Sequence, residues 1–423
     1  MALDLTSFDP MLKEHYAPGV VANLAYQKNK ALGMVNKSNR KPGGGREWVQ
    51  PIQTTLPGGG ASVFATALNA LTGTNASQYA AFQVKRARHY RIGRVDNETI
   101  EATADGDMDA FEPAFDEFDK LMQAEGNYLN FRFFRSRSGH IGRMTNTSFA
   151  TTVMTLDDAA GTWGLVKNDT VILSAGAGDT IQTIKTGTLV VASVQRSAGT
   201  ITFTANISTG IATAATNDFV FLNGDAITNA AATNGLAPAG LIDWFPDTAP
   251  TSTLFYNVDR SPEPELLGGI RVDGTDSRPI HELLVDMVQE VDNIGGEPDV
   301  VFANPRALGS LTKQLEGKWV VDQAAGYGGK KMADIGYRGW QVTMEGHELT
   351  IYSDRCCQTK RVWMLSMDTI TMFSAGAAPN FLQKRAGSII KVAELADAYE
   401  SRVGEYMNFS CKAPGWNVNG QLA

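Results

Sequence analysis

The sequence predicts an α+β chain interrupted by an inserted all-β domain, on three observations. Residues 107 to 126 place aromatic and acidic side chains at helical spacing, residues 145 to 240 are almost uncharged and rich in strand formers, and residues after 240 mix helix and strand patterns. A chain of 423 residues exceeds one ordinary core, so two or three compact units are expected.

Residues 1 to 45 combine modest helical patches with Lys28, Lys30, Lys37, Arg40 and Lys41, then break at Pro42-Gly43-Gly44-Gly45. Such a segment buries little by itself and reads as a disordered stretch or an arm laid on something else. Extended character from Arg46 to Pro51 returns from Gln78 through Val95, across Pro57-Gly58-Gly59-Gly60 and a break at Gly73-Thr74-Asn75. Two long extended stretches joined by a glycine-rich tip predict a projecting hairpin or loop. Its apolar members Trp48, Leu56, Val63, Phe64, Leu68 and Leu71 would be a liability on an isolated molecule and point to a partner surface. The plainer reading is a strand pair inside an ordinary sheet.

The stretch from Phe82 to Glu125 begins basic, with Lys85, Arg86, Arg88, Arg91 and Arg94, and ends acidic. Met108, Phe111, Phe115, Phe118 and Met122 step by three and four, which is one face of a helix. Asp109, Glu112, Asp116 and Asp119 repeat those steps one residue later, so a carboxylate stripe lies about 100° around the axis. Asp109 and Glu112 have capping-box spacing and Pro113 is tolerated only near a first turn, so the helix is expected to start near Asp109. A core helix with a solvated side explains this pattern too. The basic segment before it adds a second reading, in which those arginines meet the acids of a neighbouring copy.

Between Thr145 and Gly240 only nine of 96 residues are charged and none is Glu, which disfavours helix and suits strands. Ile201, Phe203, Ala205 and Ile207 alternate with polar residues as a half-buried strand. Leu189 to Val194 precedes it across the turn Arg196-Ser197-Ala198-Gly199, and Phe219 to Leu222 ends at Asn223-Gly224, a hairpin signal. Residues 145 to 228 therefore read as an inserted β-barrel or small sandwich. Beyond it, Arg278 to Ile294 forms an apolar-faced helix stopped by Gly295-Gly296, and Asp299 to Ala303 a buried strand. Asn304-Pro305 then caps a helix to about Leu315. After a flexible loop at Gly326 to Lys331, strands are expected at Trp340 to Met344, His347 to Tyr352, Val362 to Leu365, Ile370 to Phe373 and Tyr399 to Cys411.

The formal charge of -8 and pI near 5.3 argue against a surface whose main task is gripping nucleic acid. Cys356, Cys357 and Cys411 are an odd set, expected as free thiols in a reducing compartment. The first residues have neither a basic nor an apolar signal region, and the uncharged run Ser197 to Asn217 alternates like strands, so neither a secretory signal nor a membrane helix is expected.

Reactive constellations are missing. His281-Glu282-Leu283-Leu284-Val285 has Val285 where a zinc-protease helix needs its second histidine, and the five histidines show no ligand spacing. Gly176-Ala177-Gly178 lacks the third glycine of a dinucleotide loop, Gly328-Gly329-Lys330-Lys331 lacks the rest of a phosphate loop, and no nucleophile elbow occurs. Asp157-Asp158 suits a solvated turn better than a cation site. A non-enzyme without cofactor or metal is expected.

The order of parts, an arm, a projecting loop, a long helix, a β insertion and a late α/β region, resembles the major capsid protein of tailed bacteriophages, with the HK-97-like fold. The stretches Asp218-Phe219-Val220-Phe221-Leu222-Asn223-Gly224-Asp225, Gly240-Leu241-Ile242-Asp243-Trp244-Phe245-Pro246, Asn257-Val258-Asp259-Arg260-Ser261, Leu267-Gly268-Gly269-Ile270-Arg271 and Tyr399 to Pro414 are similar to the short-tailed branch with an inserted domain. The resemblance implies an N-terminal arm at 1–45, an extended loop at 46–95, a peripheral domain at 96–144 with a spine helix at 107–126, and an inserted domain at 145–228. It further implies a peripheral return at 229–296, an axial domain at 297–398 and a C-terminal strand at 399–423 closing the peripheral domain.

It also implies hexamers and pentamers of an icosahedral virion shell, assembled in the bacterial host cytoplasm around double-stranded DNA with weak non-specific contact. A portal protein and a separate scaffolding protein are implied partners, and no membrane. Self-crosslinking members of the family use a loop lysine, whereas no lysine stands between Glu47 and Gln83, so no covalent crosslinking is expected. Candidate contacts between subunits are Trp48, Leu56 and Phe64 as anchors, with Arg86, Arg88, Arg91 and Arg94 meeting Asp116, Glu117 and Asp119. An encapsulin-type compartment shares the fold and is the alternative. A β-rich secreted carbohydrate-active protein is a second one, lacking here its signal peptide and paired-carboxylate cleft.

Overall fold

The computed structural model describes residues 29–38, 47–69, 77–97, 111–176, 182–226, 237–274, 279–315, 340–344, 346–382, 390–393 and 396–422. The expected arm before residue 29, the breaks at 42–45 and 73–75, the helix start at Asp109, most of Gly176-Ala177-Gly178 and the loop at 326–331 lie outside the described residues.

Three six-stranded sheets and one two-stranded sheet make up the strand content of the described residues. The first sheet is organised by the strand Ala398–Cys411, 14 residues long, whose side chains are mostly buried on both faces. It pairs antiparallel with Ala87–Asp96, Ile370–Ser374, Asn380–Phe381 and Ile390–Val392. From the N-terminal region, Asn36–Ser38 adds in parallel to Ile370–Ser374, and the short helix Lys30–Met34 before it buries Ala31 and Leu32 fully. This part of the N-terminal segment is thus laid on its own chain.

The long helix Phe111–Phe133 packs across Ala87–Asp96 and Ala398–Cys411. It runs beyond the expected end at 126. Gly126 inside a helix costs about 1 kcal/mol, but continuing buries Tyr128, Leu129, Phe131 and Phe133, each worth roughly 1.5–3 kcal/mol. The gain outweighs the cost several-fold.

The second sheet runs His140–Arg143, Phe219–Leu222, Thr170–Ser174, Leu189–Gln195, Thr200–Phe203 and Val153–Thr155 in spatial order. Its first and last strands meet through an antiparallel bridge between Met144 and Leu156, with Asp157 N donating to Arg143 O at 2.9 Å, so the ladder closes on itself. Closure leaves no open edge. Met154, Leu173, Val191, Ile201, Phe203 and Val220 fill the interior. The strand expected from Ile201 to Ile207 stops at Phe203. Ile207 instead opens the single turn Ile207–Gly210, its N–H held by Thr151 O at 2.9 Å. Gly164 brings this unit onto the long helix, because any Cβ there would collide with the Phe131 ring.

The third sheet has the order Ile270–Gly274, Val418–Leu422, Arg361–Leu365, Val300–Ala303, His347–Ser353, Trp340–Met344. The helices Ile280–Ile294 and Pro305–Leu315 accompany it, and Leu283, Leu284, Met287, Val288 and Val291 of the first pack with Val301, Ile351, Met364 and Val418 in one core. Gly295 ends the first helix in the left-handed region at φ 77°.

These sheets redraw two of the expected boundaries. Ile270–Gly274 and Val418–Leu422 belong to the third sheet, so it gathers residues from before 297 and after 398, while Ile370–Ser374 to Ile390–Val392 belong to the first. The loop expected at 46–95 also splits, because Ala87–Asp96 is a strand of the first sheet. The physical reason is pairing: ten residues of Ala87–Asp96 align with Ala398–Met407, a ladder that local composition does not reveal.

Candidate assembly interface

Glu47–Thr55 and Gln78–Lys85 pair antiparallel as a two-stranded arm, with the helix Phe64–Asn69 between them. The root of the arm is locked into the body. Trp48 stacks on Phe373 with ring centroids 5.5 Å apart, and Phe82 meets Trp244 and Phe255 edge-on at 5.0 and 6.1 Å. Gln83 N donates to Tyr256 O at 2.9 Å, and Asn408 Nδ2 donates to Lys85 O at 2.6 Å. Away from the root the burial ends. Phe64 is 82% exposed and Leu56 78%, and Tyr79, Val63 and Leu68 are exposed as well. Large apolar side chains clustered in water mark candidate interaction surfaces.

The arginines divide by strand parity, since alternate residues face opposite sides of a sheet. His89 and Arg91 turn inward to the long helix. Arg91 Nε donates to Glu125 Oε2 at 3.3 Å, His89 Nδ1 lies 2.6 Å from Glu125 Oε1, and His89 stacks on Tyr128 at 3.8 Å. Arg88, Tyr90, Ile92 and Arg94 face out, with Arg94 Nε donating to Glu400 Oε2 at 3.3 Å, and Arg86 is exposed just before this strand.

Of the ten expected contact residues, Leu56, Phe64, Arg86 and Arg88 are therefore available at the surface. Trp48 is not: it is 5% exposed and anchors the arm rather than a neighbour. Arg91 is committed to an acid of its own helix, and Arg94 to Glu400. The side chains of Asp116, Glu117 and Asp119 lie outside the described residues.

Missed in the sequence is the buried acid Glu405, opposite His89 in the strand register. Burial pushes its carboxyl well above the usual range, and the neighbouring Glu125 charge adds to the effect. Its Oε2 has no hydrogen-bond partner among the described residues. The alternation of Glu405 with Val403 and Met407 was the only signal that it faces inward. Tyr128 and Arg132 of the long helix bind Asp225 at the end of the closed sheet, at 2.6 and 2.5 Å, so the helix and the inserted unit share one polar network.

Chemically the interface offers apolar contact and charge pairing. Among the described residues no group of three His, Cys, Asp or Glu could hold one metal ion, and no helix is long and apolar enough to cross a membrane. The three free cysteines are buried, with the Cys356 and Cys411 thiols pushed up to about 12 by desolvation.

No family model and no curated protein sequence matches the chain. Solved structures that it is similar to include phage capsids. A chain of the Cyanophage A-1(L) capsid asymmetric unit is 11% identical, with 95% of this chain and 89% of that one covered at a TM-score of 0.46. The capsid of a native GTA particle gives 10% identity, 95% and 90% coverage and a TM-score of 0.44. The SrpI encapsulin complex of Synechococcus elongatus gives 7%, 92% and 85%, and 0.39. Likenesses at these TM-scores carry no argument about function, which rests on the arm and the body that holds it.

Proposed function

We propose that this chain is the shell-building subunit of a tailed-phage capsid of the HK-97-like type, tiling as hexamers and pentamers around double-stranded DNA. The observation that carries the reading is the arm, whose root is fixed by buried aromatic packing while its far part holds out Leu56, Phe64 and Tyr79 with nothing among the described residues to cover them. A rigidly mounted apolar arm is of use only against another molecule, and a second copy offers the same need in return. Shell contacts of roughly 1,000–2,000 Å² each would be individually reversible and collectively strong. In this scheme Leu56 and Phe64 are the anchors, and Arg86 and Arg88 set register, since exposed ion pairs contribute only about 0–1 kcal/mol each.

The acidic balance suits a container wall, because neutralising many phosphates would hold DNA too tightly for release. A separate scaffolding protein and a portal protein belong to this scheme, as do assembly in the host cytoplasm and residence in the virion. Without a lysine between Glu47 and Gln83, shells would hold by non-covalent contact.

The test is to express the full chain alone and with a candidate scaffolding protein, and to look for uniform closed particles by negative-stain microscopy. Closed particles that protect DNA from nuclease and dissociate to a single 45.5 kDa band in denaturing gels are expected. A chain that stays a monodisperse single molecule in every condition and with every partner refutes the proposal.

A further inference from the structure

A cavity of about 310 Å³ opens where the closed sheet meets the third sheet's unit, at the lower end of the range for small-molecule sites. It is basic. Arg196 reaches it from the turn of the inserted unit, Arg306 from the first turn of the helix Pro305–Leu315, and Arg355 from the loop after His347–Ser353.

Trp163 lies between these groups, with the Arg196 and Arg355 guanidinium carbons 4.7 and 4.5 Å from its ring centre. None of the three arginines lies within 4.0 Å of a carboxylate among the described residues. Their hydrogen bonds go to neutral oxygens: Arg196 to Leu165 O at 3.2 Å, Arg355 to Asn127 Oδ1 at 2.7 Å, and Arg306 to Ser197 O. Arg196 Nε is buried without a partner. The nearby acid Asp158 is already engaged, by Arg135 at 2.8 Å and by the Thr359 hydroxyl at 3.0 Å.

Arg196 and Arg355 repel one another, while the buried Asp354 next to Arg355 is bonded to Asn130 and the Cys356 N–H, and burial together with the Arg355 charge lowers the affinity of Arg196 for its proton. A bound anion would relieve both costs. Planar guanidinium forks match the paired oxygens of a phosphate group, and the positive end of an eleven-residue helix adds to the field.

We infer that this cavity is an oxyanion site for a phosphate-class ligand, inorganic phosphate or the phosphate chain of a nucleotide, that clamps the inserted unit to the third sheet's unit. The ligand bridges Arg196 on one side to Arg306 and Arg355 on the other, so its binding tightens a junction that like charges otherwise loosen.

Calorimetric titration of the purified full chain with inorganic phosphate, triphosphate and ATP, in chloride buffer of constant ionic strength, tests this. Saturable binding of one ligand per chain is expected, weakened at least tenfold by Arg196→Gln and by Arg355→Gln and unchanged by substitution of the exposed Lys412, Lys412→Gln, away from the cavity. Tighter binding of ATP than of triphosphate identifies a nucleotide as the source, and equal binding identifies free phosphate. Should Arg355→Gln fail to fold, the wild-type titration and the half-buried Arg196→Gln decide the matter. No saturable heat with any of the three probes, or saturation unaltered by the substitutions, overturns the inference.

Discussion

Phe64→Ala separates a surface made for a neighbour from one made for the fold. Phe64 is 82% exposed at the start of the helix Phe64–Asn69, so its removal deprives the single chain of almost no packing. The expected change in chain stability is within about 0.5 kcal/mol, the usual range for surface positions. Seated in a neighbouring subunit, the same side chain would contribute about 1.5–3 kcal/mol by leaving water, which is roughly a 10- to 150-fold change in the association constant of that contact. Every subunit repeats the loss, so the concentration needed for particle formation should rise steeply. Light scattering against protein concentration, with negative-stain images at each point, measures that threshold, and thermal unfolding of the unassembled chain measures the fold. Particles forming at the wild-type concentration would show that the arm is not an anchor, and a melting temperature lowered by several degrees would show that Phe64 packs on its own chain.

Trp48→Ala is the contrasting case, because Trp48 is buried against Phe373: the unassembled chain should lose about 3–5 kcal/mol in denaturant unfolding. Glu405→Gln tests the buried acid. A carboxyl whose affinity for its proton is raised by folding favours the native state below its ordinary value of 4.5 and loses that contribution as pH rises toward the folded value. The glutamine variant should therefore melt higher than wild type at pH 8 and approach it at pH 4, whereas parallel curves would mean that Glu405 keeps its charge at no cost. Cys356, Cys357 and Cys411, with thiols raised by burial, should resist a thiol reagent at pH 8 until denaturant is added. Rapid labelling of the native chain would contradict their burial.

Much of the local structure was legible because it depends on neighbours in sequence. The helix over Ile280–Ile294 carries its own apolar stripe and stop, Asn304-Pro305 marks the next helix start, and the uncharged region announces the inserted sheet. Pairing between distant segments was not legible in this way. Nothing near Ala87–Asp96 states that its partner is Ala398–Met407, so the local sequence presents the arginines there as one basic surface. Strand parity, applied from residue 87 onward, would have turned Arg91 inward and left Arg88 outside. Trp48 stands in the sequence as an apolar member of the projecting loop, yet the Phe373 ring that claims it lies in the late part of the chain.

The fourteen-residue strand Ala398–Cys411 also fixes a timetable. Arg94 and Glu400 are 306 residues apart in the chain, so the seat of the strand Ala87–Asp96 is complete only after the intervening polypeptide has left the ribosome. Long-range ladders form late because loop closure must precede their reward. In the shell scheme proposed above, truncated translation products would lack that seat and offer no properly mounted arm to a neighbouring copy.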